Sequence, residues 1–293
     1  MNFGNVLTAM VTPFDESGKV DLQKTTGLIE HLLENGSDGL VIAGTTGESP
    51  TLTKEEKISL LKQTVKTVNK RVPVIAGTGS NNTAASISFT REAETSGADA
   101  IMLVVPYYNK PSQRGLYEHF SAIANATKLP VMLYNIPGRS VVKMEANTIV
   151  QLSKVKNIVS VKEASGDLDL ISEVIERTGD DFSVYSGEDS VTLPLLALGG
   201  DGVVSVASHV IGNEIQKMVT AFKSGKVSDA GNLHRKLLPV MNGLFAAPSP
   251  SPVKAALRMK GIDTGSVRMP LLELTDTEKQ VLKETLNLVS VTQ

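Results

Sequence analysis

The chain has 293 residues, 41% of them hydrophobic, with a formal net charge of −2 and no cysteine. That is enough apolar material for one large α/β domain or two small ones. It offers no basic field for nucleic acid or anionic lipid, and it excludes disulfides, thiolate metal sites and a cysteine nucleophile.

The first residues, Met1-Asn2-Phe3-Gly4-Asn5-Val6-Leu7, lack a basic segment followed by an apolar stretch, and no run approaches the roughly 20 apolar residues of a membrane span. A soluble, cytoplasmic protein is expected. Residues 6–11 form the first predicted strand and run into Thr12. Ile29, Leu32 and Leu33 give the first helix its apolar stripe, which Gly36 ends as a left-handed terminator. A second strand over 39–43 leads into Gly44-Thr45-Thr46-Gly47-Glu48-Ser49. Thr53 and Glu56 then have capping-box spacing, and Ile58, Leu61, Val65 and Val68 recur at helical intervals. The third strand, 72–76, is followed by Gly77-Thr78-Gly79-Ser80-Asn81-Asn82, a turn into an Asn-capped helix. The fourth, 100–105, precedes Pro106-Tyr107-Tyr108-Asn109.

The fifth strand, 131–134, starts after Pro130 and delivers Tyr134 and then Asn135-Ile136-Pro137-Gly138-Arg139. The sixth, 158–162, closes on Lys162; its helix carries Leu170, Ile171, Val174 and Ile175. The seventh, 182–186, meets Gly187, and the eighth, 202–206, leads to a helix striped by Ile215, Met218, Val219 and Phe222. Eight strand and helix units with nearly all-apolar strands predict an α/β fold of the closed (β/α)8 TIM barrel type over residues 1–225. No Gly-x-Gly-x-x-Gly follows the first strand, where an open dinucleotide fold needs it. After 225 the alternation stops: a helix over 227–245, a stiff proline-rich connector over 247–252, a helix from Ser251-Pro252 to Gly261 and one opened by Thr275 and Glu278 make a C-terminal helical domain, 226–293.

In such a barrel the active site lies at the C-terminal ends of the strands. Thr12, Thr45, Thr46, Tyr107, Tyr108, Tyr134, Asn135, Arg139, Lys162 and Gly187 stand there. A lysine after a strand commonly packs its stem on the rim and reaches water. Desolvated, however, its amine becomes neutral and nucleophilic, as imine formation with a carbonyl substrate requires. Tyr134 can pass protons beside such an amine, the Thr45 and Thr46 turn can hold a small carboxylate, and Arg139 offers a planar fork for another. His31, His119, His209 and His234 show no metal-ligand spacing, so neither a metal nor a resident cofactor is expected.

Gly44-Thr45-Thr46-Gly47-Glu48, Pro106-Tyr107-Tyr108-Asn109, Tyr134-Asn135-Ile136-Pro137-Gly138-Arg139 and Val161-Lys162-Glu163-Ala164 resemble the signatures of the pyruvate-dependent class I aldolases related to N-acetylneuraminate lyase. The likeness extends to Gly199-Gly200-Asp201-Gly202-Val203-Val204-Ser205-Val206 and Pro250-Ser251-Pro252-Val253-Lys254, and so spans the chain. It implies a lyase in which pyruvate forms an imine with Lys162 and its enamine attacks L-aspartate 4-semialdehyde, in lysine and diaminopimelate biosynthesis. On the same resemblance Thr45, Tyr134 and a neighbouring subunit's copy of Tyr108 form a proton relay. Thr46 holds the pyruvate carboxylate, Arg139 the semialdehyde carboxylate, and the backbones of Gly187 and Val204 line the pocket. The shared tyrosine implies a homo-oligomer, a dimer or a homotetramer built as a dimer of dimers. The alternative within the family is cleavage of N-acetylneuraminate or a 2-keto-3-deoxy sugar acid.

Lysine-inhibited members bind the inhibitor near the positions of Ser49, Pro50, Lys54, Lys57, Asn81, Ala85 and Tyr107. Here Lys54 and Lys57 add cations and Ala85 stands where a glutamate would meet an ammonium, so weak or absent lysine inhibition is expected.

Overall fold

The computed structural model describes residues 2–290. Met1 and residues 291–293, at the outer ends of the two expected regions, lie outside the described residues. Eight parallel strands pair in sequence order and close on themselves, β1 with β8. In chain order the elements begin β1 (Val6–Ala9), α1 (Leu22–Glu34), β2 (Gly39–Ile42), α2 (Lys54–Val68), β3 (Val74–Gly77), α3 (Thr83–Thr95), β4 (Ala100–Val104) and α4 (Gln113–Ala124). They continue β5 (Val131–Asn135), α5 (Pro137–Ser140), α6 (Ala146–Leu152), β6 (Ile158–Glu163), α7 (Leu168–Arg177), β7 (Ser183–Ser186), α8 (Thr192–Ala197), β8 (Gly202–Ser205) and α9 (Ser208–Lys223). The expected TIM barrel is therefore the observed fold. Strand ends move by one or two residues; β3, for one, starts after Pro73, which has no amide to give the ladder but accepts from Leu40 N–H at 3.0 Å.

The sequence signals act locally as chemistry requires. At the start of α1 the structure adds a cap not among those signals: Asp21 accepts from the Gln23 and Lys24 amides, both at 2.9 Å. Thr53 and Glu56 form the capping box of α2, with 3.2 Å and 2.9 Å bonds, and Asn82 caps α3 by accepting from Ala85 N–H at 3.0 Å. Each of these caps fixes where the chain turns from a strand end into a helix, and so fixes the loops at the barrel mouth.

Three further helices follow: α10 (Val227–Gly243), α11 (Ser251–Met259) and α12 (Asp276–Ser290). Both α10 and α11 pack along α9, and α12 lies against them. The C-terminal end of α10 meets the short helical turn Asp189–Val191 after β7, which carries Met241, Asn242 and Phe245 to the mouth of the barrel. Among the described residues no helix is long and apolar enough to cross a membrane.

Candidate active site

A cavity of about 520 Å3 opens at the C-terminal ends of the strands, lined by Thr45, Thr46, Tyr134, Arg139, Lys162, Gly187, Glu188 and Asp189, with Met241, Asn242, Phe245 and Ser249 closing it from the C-terminal region. Residues on or just after β2, β5, β6 and β7 thus meet in one place. The β5–β6 register sets Tyr134 beside Lys162. The Lys162 Nζ lies 4.2 Å from the centroid of the Tyr134 ring, over its electron-rich face.

Lys162 is 5% exposed. Burial pulls its pKa down from 10.5 to about 8; Asp189 draws it back up and Arg139 presses it lower. About a tenth of the amine is then neutral at pH 7 and about half near pH 8, which supplies the nucleophile. Tyr134, 4% exposed, is pushed the other way, to about 12, chiefly by burial, while Arg139 and a hydrogen bond with Thr45 oppose the rise. A phenol held protonated can donate to a leaving oxygen.

Gly187 must be a glycine here. A Cβ at that position would stand 2.6 Å from the Ala164 Cβ and 3.0 Å from the Lys162 Cε, so a side chain would displace the reactive amine's stem. Thr46 is buried beside Thr45 in the turn after β2, and Thr12 supports that turn by donating its hydroxyl to Gly47 C=O at 2.6 Å. Arg139 sits exposed on the single turn α5, reaching both this cavity and an adjoining one of about 270 Å3 that holds Ser49, Lys57, Ser80 and Tyr107.

Two expected positions lie outside the lining of this chain's own cavity, and for only one of them, Val204, was a place in that lining expected. Val204 is buried inside β8, and Val206 is the residue of that segment at the cavity wall. Tyr108 is 89% exposed, with φ of 72°, and stands away from this chain's own cavity.

Asp189 is a member of the site that strand-end reading did not reach. It is 3% exposed, and its carboxylate accepts from the Ser205 hydroxyl and from the Val206 and Ala207 amides at 3.1 and 3.0 Å. It therefore ties the turn after β7 to the end of β8 while placing negative charge near Lys162. Glu163, next to Lys162, is likewise buried, accepting from the Asn135 amide at 2.8 Å and from Ser165 N–H at 2.8 Å. Both carboxyls are pushed upward by burial.

Residues 2–289 match the model of the dihydrodipicolinate synthetase family. The chain is 63% identical over 283 residues to 4-hydroxy-tetrahydrodipicolinate synthase 2 of Halalkalibacterium halodurans, covering 97% of each sequence. Its structure superposes on dihydrodipicolinate synthase DapA-2 from Bacillus anthracis with a TM-score of 0.97 at 57% identity, over 98% of each chain. The enzyme from Cyanidioschyzon merolae, solved with lysine bound, matches with a TM-score of 0.97 at 46% identity, over 99% of each chain.

Proposed function

The chain belongs to the dihydrodipicolinate synthetase family, and on that footing we propose that it condenses pyruvate with L-aspartate 4-semialdehyde to 4-hydroxy-tetrahydrodipicolinate through an imine on Lys162. The observation that carries the mechanism is the buried amine of Lys162 over the Tyr134 ring, its pKa lowered to about 8.

The neutral amine adds to C2 of pyruvate, and Tyr134 protonates the departing hydroxyl so that water leaves and the imine remains. Loss of a methyl proton gives the enamine, whose carbon attacks the aldehyde carbon while the aldehyde oxygen gains a proton. The amine of the semialdehyde then displaces Lys162 from C2, closing the ring and freeing the enzyme. The protonated imine is the electron sink, so the reaction needs no resident cofactor. Thr45 relays protons to Tyr134, Thr46 holds the pyruvate carboxylate, and the backbone of Gly187 lies under it. Arg139 holds the carboxylate of the second substrate. The reading sets the enzyme in the cytoplasm, in the synthesis of diaminopimelate and lysine.

Turnover with pyruvate and the semialdehyde, set against turnover of N-acetylneuraminate, tests the assignment. Condensation is expected to dominate, and faster cleavage of the sialic acid would overturn the assignment. The relatives carry the synthase name and lend the cleavage reading no support.

Imine formation should follow the neutral fraction of Lys162. Its initial rate with pyruvate, quenched by borohydride, rises with pH through about 8 and levels off above it. A flat rate between pH 6 and pH 9 would remove Lys162 deprotonation from the account.

The exposed position of Tyr108 supports its donation to a neighbouring subunit's cavity in a homo-oligomer, a dimer or a homotetramer built as a dimer of dimers. Mixed subunits provide the check. Lys162→Ala and Tyr108→Phe variants are each deficient alone, but in a mixed dimer one site keeps both native residues. Random mixing should restore about a quarter of wild-type activity. No recovery would place Tyr108 outside the shared site.

Lysine should inhibit weakly or not at all. Lys54 is paired with Glu92, but Lys57 lies at the second cavity with the Phe89 ring 5.8 Å away, and Ala85 offers no carboxylate. Half-maximal inhibition at sub-millimolar lysine in a coupled assay would contradict this.

A further inference from the structure

We infer that the buried ion pair between Lys254 of α11 and Glu48 positions the turn that carries Thr45 and Thr46, making Lys254 a remote positioning residue for pyruvate. The side chains of the pair are 3% and 0% exposed, with the Lys254 Nζ 2.9 Å from Glu48 Oε1. Each charge has further anchors. Lys254 donates to Ser266 C=O at 2.7 Å and lies 4.2 Å from the Phe14 ring centroid. Glu48 Oε2 accepts from Arg268 N–H at 2.8 Å.

Glu48 is also part of the turn. Its backbone is left-handed, with φ of 56° and ψ of 34°, its N–H donates to Thr45 C=O at 3.0 Å, and Ser49 N–H donates to Gly44 C=O at 3.2 Å. A non-glycine residue held left-handed needs its surroundings to keep it there. The side chain of Glu48, gripped from α11 and from Arg268, is the visible means. Burying two charges is an expensive way to gain stability, because an apolar pair of similar volume often does as well. What an apolar pair cannot supply is a charge–charge hold on this one turn, set beside the directional hydrogen bond from Arg268 N–H. The hold passes from α11 through Glu48 to Thr45, and from Thr45 through its hydrogen bond to Tyr134.

The inference rests on the roles proposed for Thr45 and Thr46, and the experiment separates the two. Lys254→Met, Glu48→Gln/Lys254→Met, Thr45→Val and Thr46→Val are compared with wild type for both KM values, kcat and thermal midpoint. Assays run where circular dichroism shows the native fold. Lys254→Met is expected to raise the KM for pyruvate about tenfold and to leave that for the semialdehyde within a factor of about two. The double variant leaves no buried charge unpaired, so its thermal midpoint recovers toward wild type while its pyruvate KM stays high. If Lys254→Met does not fold, the double variant is read alone. The inference fails if the pyruvate KM stays within about twofold of wild type, if both KM values rise together, or if KM recovers along with the midpoint. Should the threonine variants leave pyruvate binding untouched, the roles of Thr45 and Thr46 fall, and the inference falls with them.

Discussion

Lys162→Ala abolishes covalent capture of pyruvate and lowers turnover by a factor on the order of 10^5 to 10^6, the scale seen when a covalent nucleophile is removed from a catalytic unit. The protein itself should survive the change. Holding the Lys162 pKa at about 8 against 10.5 means that the buried ammonium costs about 3 kcal/mol of stability at neutral pH. The sign follows from proton counts: between pH 8 and 10.5 the unfolded chain binds more protons than the native one, so stability rises with pH across that window. Alanine removes the cost but leaves a small cavity, and the two effects oppose one another. Thermal unfolding of Lys162→Ala is therefore expected at or above the wild-type midpoint, alongside absent turnover. An inactive variant that also melts much earlier would point to loss of the fold instead. Turnover within tenfold of wild type would require a different nucleophile.

Tyr134→Phe has the second largest expected effect. The phenol is the proton-bearing group beside Lys162, and burial keeps it protonated, with a pKa near 12. Removing the hydroxyl leaves the ring to cover the amine but takes away the proton donor for dehydration. The expected loss in kcat is about 10^2 to 10^4-fold, or about 3 to 5 kcal/mol of transition-state stabilisation. Pyruvate binding should change little, because the seat proposed for its carboxylate is the Thr46 turn and not the Tyr134 hydroxyl. Stopped quench with borohydride distinguishes the steps: the phenylalanine variant forms imine slowly yet reaches the wild-type extent. A variant that forms imine at the wild-type rate would put the proton relay elsewhere.

The fold was legible because most strands are largely apolar and some helices mark their starts, as Thr53 and Asn82 do by accepting from the first-turn amides. Strand-end position then reached Lys162, Tyr134, Thr45, Thr46, Arg139 and Gly187, which the structure gathers around one cavity. Strand-end position alone set Tyr108 at the same mouth as Lys162; it was the family resemblance that gave it to a neighbouring subunit, and its exposed side chain stands off this chain's cavity. Val204 came from the family resemblance rather than from strand periodicity; it lies buried within β8, and Val206, two residues on, is at the cavity wall. Asp189 and the Glu48–Lys254 pair were missed for another reason. Their partners are remote in sequence, and a lone aspartate or lysine has no local signature for burial. The signal that could have found Lys254 is a lysine among apolar neighbours in the helix Ser251-Pro252-Val253-Lys254-Ala255-Ala256-Leu257, where a cation has no reason to be unless it meets a partner.

The central claim is covalent, and borohydride reduction of the enzyme in the presence of pyruvate, followed by intact mass and peptide mapping, addresses it most directly. The expected result is one reduced pyruvyl adduct per chain, located on the peptide containing Lys162 and absent from Lys162→Ala. No adduct, or an adduct on a different lysine, would contradict the mechanism built on this residue.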